Sequence, residues 1–477
     1  MEKTKVRPFG VLDKLGYLFG DFGNDFTFIL STMVLMKFYT DVMGVSAGVV
    51  GTIMMIARFV DAFTDVTMGR ICDRAKGNKH GKFKPWILRM CGPVAIASFL
   101  MYQSSLADVL PYTGKVVYLF VTYILWGSVF YTSINIPYGS MASAISANPD
   151  DRQSLSTFRT MGGMLAGAVI GVGLPLIAYE TNEATGKDVL VGEKVTLAAG
   201  IFSVLAIVAY LLCFAMVKER VRPEVQPDEF QKNSVGAMLK NAVKNRALIS
   251  IIAASVVMLL AQLTMQNMAA YIFPDYYGNA TAQSASTACM MVGMILAAAF
   301  AKPLARKFGK AEVSVVSNAF AAVVCVVMLI VRPENVWVYV ALQMLCWLGL
   351  GVFSMVSWAL ITDVIDYSEI KNGIREDGSV YALYSFARKL GQALASGLSG
   401  WLLSAIGYSE EAASQGLAQS ESVLTGIYNI SALVPAIGFG LLALILAVWY
   451  PLHKKQVDAN VAALAEKHSK QTTEVAE

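Results

Sequence analysis

Charge is scarce in this chain: Asp, Glu, Lys and Arg make up only 15% of its 477 residues, against about 25% in soluble globular domains. Histidine is scarcer still. There are three, His80, His453 and His468, and all fall in connections or the tail rather than in apolar stretches. No nucleophile–histidine arrangement is therefore available, which argues against a membrane-embedded enzyme built on one. The six cysteines (Cys72, Cys91, Cys213, Cys289, Cys325, Cys346) stand in or beside apolar segments without metal-ligand spacing and read as buried free thiols. A cleavable signal pattern is missing from "MEKTKVRPFG". The net charge of +4 comes from basic residues dispersed among short loops, so no nucleic-acid partner is expected.

What is present is hydrophobicity: 56% of residues are apolar and the mean hydropathy is +0.55. Apolar stretches of about 20 residues recur along the chain, each able to cross a hydrocarbon core of about 30 Å as a helix. About twelve spans are read, near 14–39, 45–71, 86–107, 115–146, 155–179, 195–217, 248–274, 282–303, 313–331, 336–363, 380–407 and 425–450. The largest internal break is a charged linker at 218–247, which divides six spans from six. The expected organisation is a tail (1–13), a six-helix bundle (14–217), the linker, a second six-helix bundle (248–450) and a second tail (451–477). Lysine and arginine concentrate in the N-terminal tail, the 73–84 loop, the linker, "ARKFGK" at 305–310 and "HKK" at 453–455. That bias predicts a multi-pass protein of the plasma membrane with both termini cytoplasmic.

The two halves echo one another. "CDRAKGNKHGKFKPW" after span two resembles "AKPLARKFGKAEV" after span eight, and Ser156-x-x-Arg159-x-x-Gly162 resembles Ser385-x-x-Arg388-x-x-Gly391 in spans five and eleven. Both pairs lie six spans apart, as two equivalent six-helix halves require. Such repeats are the architecture of the major-facilitator class of carriers, an all-α polytopic fold with substrate near the midplane.

Ionisable residues inside the spans are few and cluster by face. "RFVDAFTD" carries Asp61 and Asp65 one helical turn apart, with Thr64 nearly on the same face, and "GDFGND" carries Asp21 and Asp25 at the same spacing. An isolated charge at the centre of a membrane helix costs roughly 2.5–3.5 kcal/mol on insertion scales, so these groups must meet a partner or a wet cavity. Three readings of Asp61 and Asp65 stand side by side. They pair with Arg58 or another arginine and hold the bundle together; they share a proton, since two close carboxylates do not both ionise freely; or they take sodium with the hydroxyl oxygens of Thr64 and Thr132. Asp25, Arg159 and Lys389 suit hydrogen bonding to the hydroxyls of a sugar, Asp25 as acceptor and the cations as donors. The plainer reading of Arg159 and Lys389 is that they snorkel at helix ends. The basic loop with Lys82 and Lys84 either fixes topology or gates by pairing with acids such as Asp363 and Asp366 in "DVIDYSE".

Several long stretches, in order, resemble one family: "FYTDVMGVSAGVVGTI", "ARFVDAFTDVTMGRICD", "GKFKPW", "VTYILWG", "NIPYGS", "ITDVIDYSEIKNGIR" and "SFARKLGQA". From Leu15 to Leu452 the chain is similar to the glycoside–pentoside–hexuronide:cation symporters, whose members include a melibiose carrier. The resemblance implies that Asp61, Asp65, Thr64 and Thr132 form the cation site, and that Asp25, Arg159 and Lys389 hold sugar, with Ser385 where the melibiose carrier has a threonine. It also marks departures. Asn24 stands for a lysine, Asn135 for an aspartate of the sugar site, and Gly139 and Ser354 for two tryptophans, so melibiose itself is not expected. Tyr138 is the candidate replacement platform for the sugar ring.

The function expected is secondary active symport, importing a glycoside, pentoside or hexuronide with sodium or a proton by alternating access. The alternatives are a carrier of a non-sugar solute on the same fold, a membrane-embedded enzyme, or a sugar sensor. No cofactor is expected, no metal other than a sodium ion at Asp61 and Asp65, and no partner beyond the small substrate and the surrounding lipid; a monomer is expected.

Overall fold

The computed structural model describes residues 7–78, 80–183, 185–221, 245–372 and 377–464. The first six residues, Lys79, the interior of the linker and the end of the C-terminal tail lie outside the described residues. Each expected span coincides with one helix. Before the linker come α1 (Val11–Asp41), α2 (Ala47–Arg74), α3 (Lys84–Leu100), α4 (Tyr112–Ile145), α5 (Pro149–Ala178) and α6 (Gly192–Met216). After it come α7 (Arg246–Tyr271), α8 (Thr281–Phe308), α9 (Lys310–Val331), α10 (Val336–Asn372), α11 (Asp377–Ala405) and α12 (Glu421–Leu444). Among the described residues, nine of these helices are long and apolar enough to cross a membrane. The other three are α3, with 17 residues, and α1 and α11, which polar side chains such as Asp21, Asn24, Asp25, Arg388 and Lys389 dilute. A single short hairpin, β1 (Tyr179–Thr181) paired antiparallel with β2 (Asp188–Leu190), joins α5 to α6.

The chain divides into two compact units whose borders do not follow the linker alone. The first comprises, of the described residues, 7–221, 266–288 and 396–427; the second comprises 245–265, 289–372, 377–395 and 428–464. One end each of α7, α8, α11 and α12 thus belongs with the first six helices. Small residues make that packing close. A Cβ on Gly400 of α11 would lie 2.3 Å from the Ala47 carbonyl oxygen, and one on Gly51 of α2 would lie 3.0 Å from the Gly400 Cα. Such backbone approach is the usual basis of helix association in lipid, where apolar burial supplies no drive. Outward faces are apolar as well, with Phe63, Val316 and Ile330 strongly exposed. In water these would be sticky patches; for a membrane span they are the lipid-solvated surface.

The sequence echo has a structural counterpart in each unit. A Cβ on Gly162 of α5 would lie 2.3 Å from the Leu18 carbonyl oxygen of α1, and one on Gly391 of α11 would meet Leu259 of α7 at 3.2 Å. The glycine therefore sets the same contact twice, helix five on one and helix eleven on seven. The second echo also holds: Lys84 opens α3 and Lys310 opens α9, each after a glycine of positive φ, Gly81 at +123° and Gly309 at +108°.

Candidate functional site

Five side chains meet where α2 crosses α4. The middle of α4 is a π-helical stretch, Leu125–Tyr131, which ends immediately before Thr132. Such stretches inside α-helices frequently mark functional sites, because the wider turn re-aims side chains. Here Ser128 and Thr132 both turn to α2. The Ser128 hydroxyl donates to Asp61 Oδ1 at 2.5 Å, and the Thr132 hydroxyl donates to Asp65 Oδ1 at 2.8 Å. Arg58 reaches Asp61 Oδ2 at 3.4 Å, with its guanidinium 4.8 Å from the ring centroid of Phe28. Both hydroxyls are buried and both carboxylates half-buried. Thr64 sits on the same helix, but its hydroxyl donates back to the Asp61 carbonyl at 3.2 Å.

A second constellation forms between α1, α4, α5 and α6. Arg159 Nε donates to Asp21 Oδ1 at 3.0 Å. The Asp25 carboxylate lies beside Gly163, where a Cβ would come within 2.5 Å of Asp25 Oδ2 and 3.3 Å of Asp21 Oδ2. Among the described residues Asp25 has no hydrogen bond or ion pair of its own, so its acceptor oxygens are uncommitted. Next to it, Asn24 Nδ2 donates to Asn135 Oδ1 at 3.3 Å and Asn24 Oδ1 accepts from the Tyr210 hydroxyl at 2.8 Å. Asn24 and Asn135, two of the four positions at which the resemblance marks departures, therefore touch each other here as a neutral amide pair. Replacing Gly163 with alanine forces Asp25 to move. Because the atom that must yield is the end of a flexible side chain, Gly163→Ala should fold with little loss of thermal stability but bind substrate more weakly; thermal melting and isothermal titration check the two.

Tyr138 requires a correction. Its ring is fully buried, stacked on Tyr17 at 4.6 Å between centroids, pressed against Gly20, and approached by Arg159 at 5.3 Å. Its hydroxyl donates to the Tyr17 carbonyl at 2.6 Å. The ring thus has no open face for a sugar and acts instead as the wall that carries Arg159.

In the second unit, Ser385 and Lys389 lie half-buried on α11, one turn apart. Arg388 packs its guanidinium 5.8 Å from Trp358 and 5.9 Å from Tyr384, two rings set edge to face. Asp363 of α10 accepts from Lys310 Nζ at 2.6 Å, and Asp366 is half-buried three residues on. In the first unit, Lys84 Nζ donates to the Val217 carbonyl at 2.6 Å. The backbone N–H groups of Lys82, Phe83 and Lys84 all donate to the Glu219 carboxylate, at 2.7, 2.9 and 2.7 Å. Glu219 thereby caps α3 and satisfies donors that a helix start leaves open. Gly81 is glycine because the same carboxylate occupies the space of a Cβ.

Ser128, Asp21 and Glu219 are the contributors that sequence reasoning did not assign. Ser128 stands four residues before Thr132, a spacing that could have flagged it. Asp21 was visible beside Asp25, but nothing in the sequence says which carboxylate an arginine on another helix takes.

Long apolar helices that hold ionisable side chains against one another are the arrangement of a polytopic carrier, and the family of the chain makes it a transporter rather than an enzyme. Residues 16–454 match the family model described as MFS/sugar transport protein, and the chain belongs to that family of major-facilitator carriers, with glycoside/cation symporters among its relatives. It is 31% identical over 463 residues to the isoprimeverose transporter of Lactiplantibacillus pentosus, covering 96% of this chain and 92% of that one. It is 29% identical over 446 residues to the glucuronide carrier protein homolog of Escherichia coli (strain K12), covering 93% of each. The fold is similar to the crystal structure of a D-xylose-proton symporter, with a TM-score of 0.62 at 14% identity over 92% of this chain and 97% of that one. At family level the chain is a multi-pass membrane symporter of the sugar type.

Proposed function

We propose that this protein imports a glycoside, pentoside or hexuronide across the plasma membrane, coupled to sodium or a proton, with both termini in the cytoplasm. The observation that carries the reading is the pairing of two membrane-embedded carboxylates with two hydroxyls, Asp61 with Ser128 and Asp65 with Thr132. A hydroxyl that donates to a carboxylate can turn its proton aside and offer a lone pair instead. Asp61, Asp65, Thr132 and Ser128 can thus change from a hydrogen-bonded resting arrangement to an oxygen cage for a small cation, or accept a proton on one carboxylate. Thr64 joins that cage through its oxygen only, because its proton is used on its own helix.

The sugar is assigned to Asp25, Arg159 and Asn135 of the first unit, and Ser385 and Lys389 keep the sugar role that the family resemblance implies for them. Charged groups make the stronger bonds to hydroxyl fans, and Arg159 or Lys389 suits the carboxylate of a hexuronide. No cofactor takes part, and a single chain suffices. Cation and sugar each bias the alternation between conformations only through a difference in affinity for them.

The test is thermal stabilisation of the purified protein by pentosides, glucosides, glucuronides and non-sugar organic anions, with and without sodium and at two pH values. A ligand that binds only the folded state raises apparent stability with concentration. A sugar or glucuronide that stabilises, and does so more strongly with the coupling cation, supports the reading. Stabilisation by non-sugar anions alone would replace the substrate class, and a response indifferent to both sodium and pH would remove the coupling.

A further inference from the structure

The C-terminal end of α1 carries Lys37 and Asp41, four residues apart on one face. Lys37 is the most enclosed cation in the first unit's described pairs, 1% exposed. Its ammonium lies 2.7 Å from Asp41 Oδ2, 2.6 Å from both oxygens of Asp275, and 3.1 Å from the Tyr408 hydroxyl, above the ring of Tyr271 at 4.5 Å. The Tyr408 hydroxyl in turn lies 2.8 Å from Asp41 Oδ1 and 3.1 Å from Asp275 Oδ2. Asp275 stands in the π-helical turn Ile272–Tyr276 that closes α7, and Tyr408 stands in the connection from α11 to α12. One buried cation therefore ties the first helix to two elements from the other half of the sequence, all within the first compact unit.

The hairpin reinforces the same seam. Lys187 Nζ donates to the Asp275 carbonyl at 3.1 Å, and Asp188 Oδ2 accepts from the Ala280 N–H at 2.8 Å. A cavity of about 40 Å³, lined by Asp41, Lys187, Asp188, Asp275, Tyr408 and Gln419, abuts the two carboxylates. The polar side chains among its lining suit water. The carboxylates are thus approachable by solvent while the lysine behind them is shut away.

Three charges gathered around an enclosed lysine are a poor way to obtain stability, since an apolar replacement of the same volume usually does as well or better. Their particular property is a dependence on wetting. The same pair that resists removal of one partner when dry is worth little once water reaches it. An ion cluster therefore suits a seam that has two states, shut and separated.

We propose that Lys37, Asp41, Asp275 and Tyr408 form a latch that holds α1 against the end of α7 and the α11–α12 connection, and that its wetting and release is an obligatory step of transport. The second half of that statement rests on the symport reading above; the first half does not.

Thr40 supplies a reporter, because it is fully buried in the same seam with its hydroxyl 3.2 Å from that of Tyr271. The full chain carrying Thr40→Cys, with Cys289→Ala to remove the half-buried native thiol, is placed in lipid vesicles. It is labelled with a membrane-impermeant maleimide added at the latch side, without substrate. Labelling should be slow in this parent and should rise about tenfold or more with Lys37→Met, as expected when the shut state loses its main contact. Tyr408→Phe and Asp275→Asn should give intermediate rates. Slow labelling in a monodisperse Lys37→Met protein overturns the latch. If Lys37→Met does not fold, slow labelling in both milder variants overturns it equally. Fast labelling with uptake at the parent's rate would keep the latch and remove its obligatory place in the cycle. A failure to find any transported sugar leaves the labelling result standing, so the two readings fail separately.

Discussion

Replacing Asp61 with asparagine is expected to abolish accumulation of substrate against its gradient, to the level of vesicles without protein, while substrate still binds. The side chain keeps its shape, and asparagine can still accept the Ser128 proton that now bonds Asp61 at 2.5 Å. What disappears is the charge, and with it the reason for a cation to prefer one conformation. Coupling between two ligands is typically worth about 1–3 kcal/mol, a factor of about 5–150 in each other's affinity. That factor should fall to one in Asp61→Asn: sodium or acid would no longer tighten substrate binding. Uptake into proteoliposomes under an imposed sodium or proton gradient measures the first effect, and binding titrations with and without the cation measure the second. Accumulation at the unmodified level would mean that the Arg58–Asp61 pair at 3.4 Å is purely a structural tie.

The complementary expectation concerns Asp25. Because Arg159 is engaged with Asp21, Asp25 is the carboxylate left to accept from ligand hydroxyls. Hydrogen bonds to charged groups contribute about 1.5–3 kcal/mol each. Losing one in Asp25→Asn should weaken substrate binding about 10- to 150-fold. The effect of the coupling cation on its own, read as thermal stabilisation without substrate, should persist, since Asp61 and Asp65 lie on another helix. Equal loss of both responses would show that the two constellations act as one site.

These expectations also mark what was legible in the sequence. Hydrophobic length placed the twelve helices, because a bilayer forces each span to satisfy its own backbone. Repetition placed the two glycines, Gly162 and Gly391, in equivalent contacts. Helical spacing put Asp61 and Asp65 on one face, and family likeness put Thr132 opposite them. Partner choice across the sequence was not legible. Lys37 reads locally as an i,i+4 partner of Asp41, and nothing in the sequence points to Asp275, 238 residues away. Ser128 is not legible as a partner of Asp61, because a serine inside a span bonds its own helix as readily as a neighbour. Tyr138 misled for a different reason: an aromatic beside a missing tryptophan suggests a replacement, whereas its ring was already committed to Tyr17 and Gly20.

The amide pair of Asn24 and Asn135 has a consequence for how this carrier can diversify. In a buried ion pair, losing either member strands a charge, at about 3–5 kcal/mol. Two amides carry no such mutual dependence, and altering one leaves at most an unmet hydrogen bond of about 1–3 kcal/mol. Either asparagine can therefore be altered singly at modest cost, where a charged couple would have to change both members together.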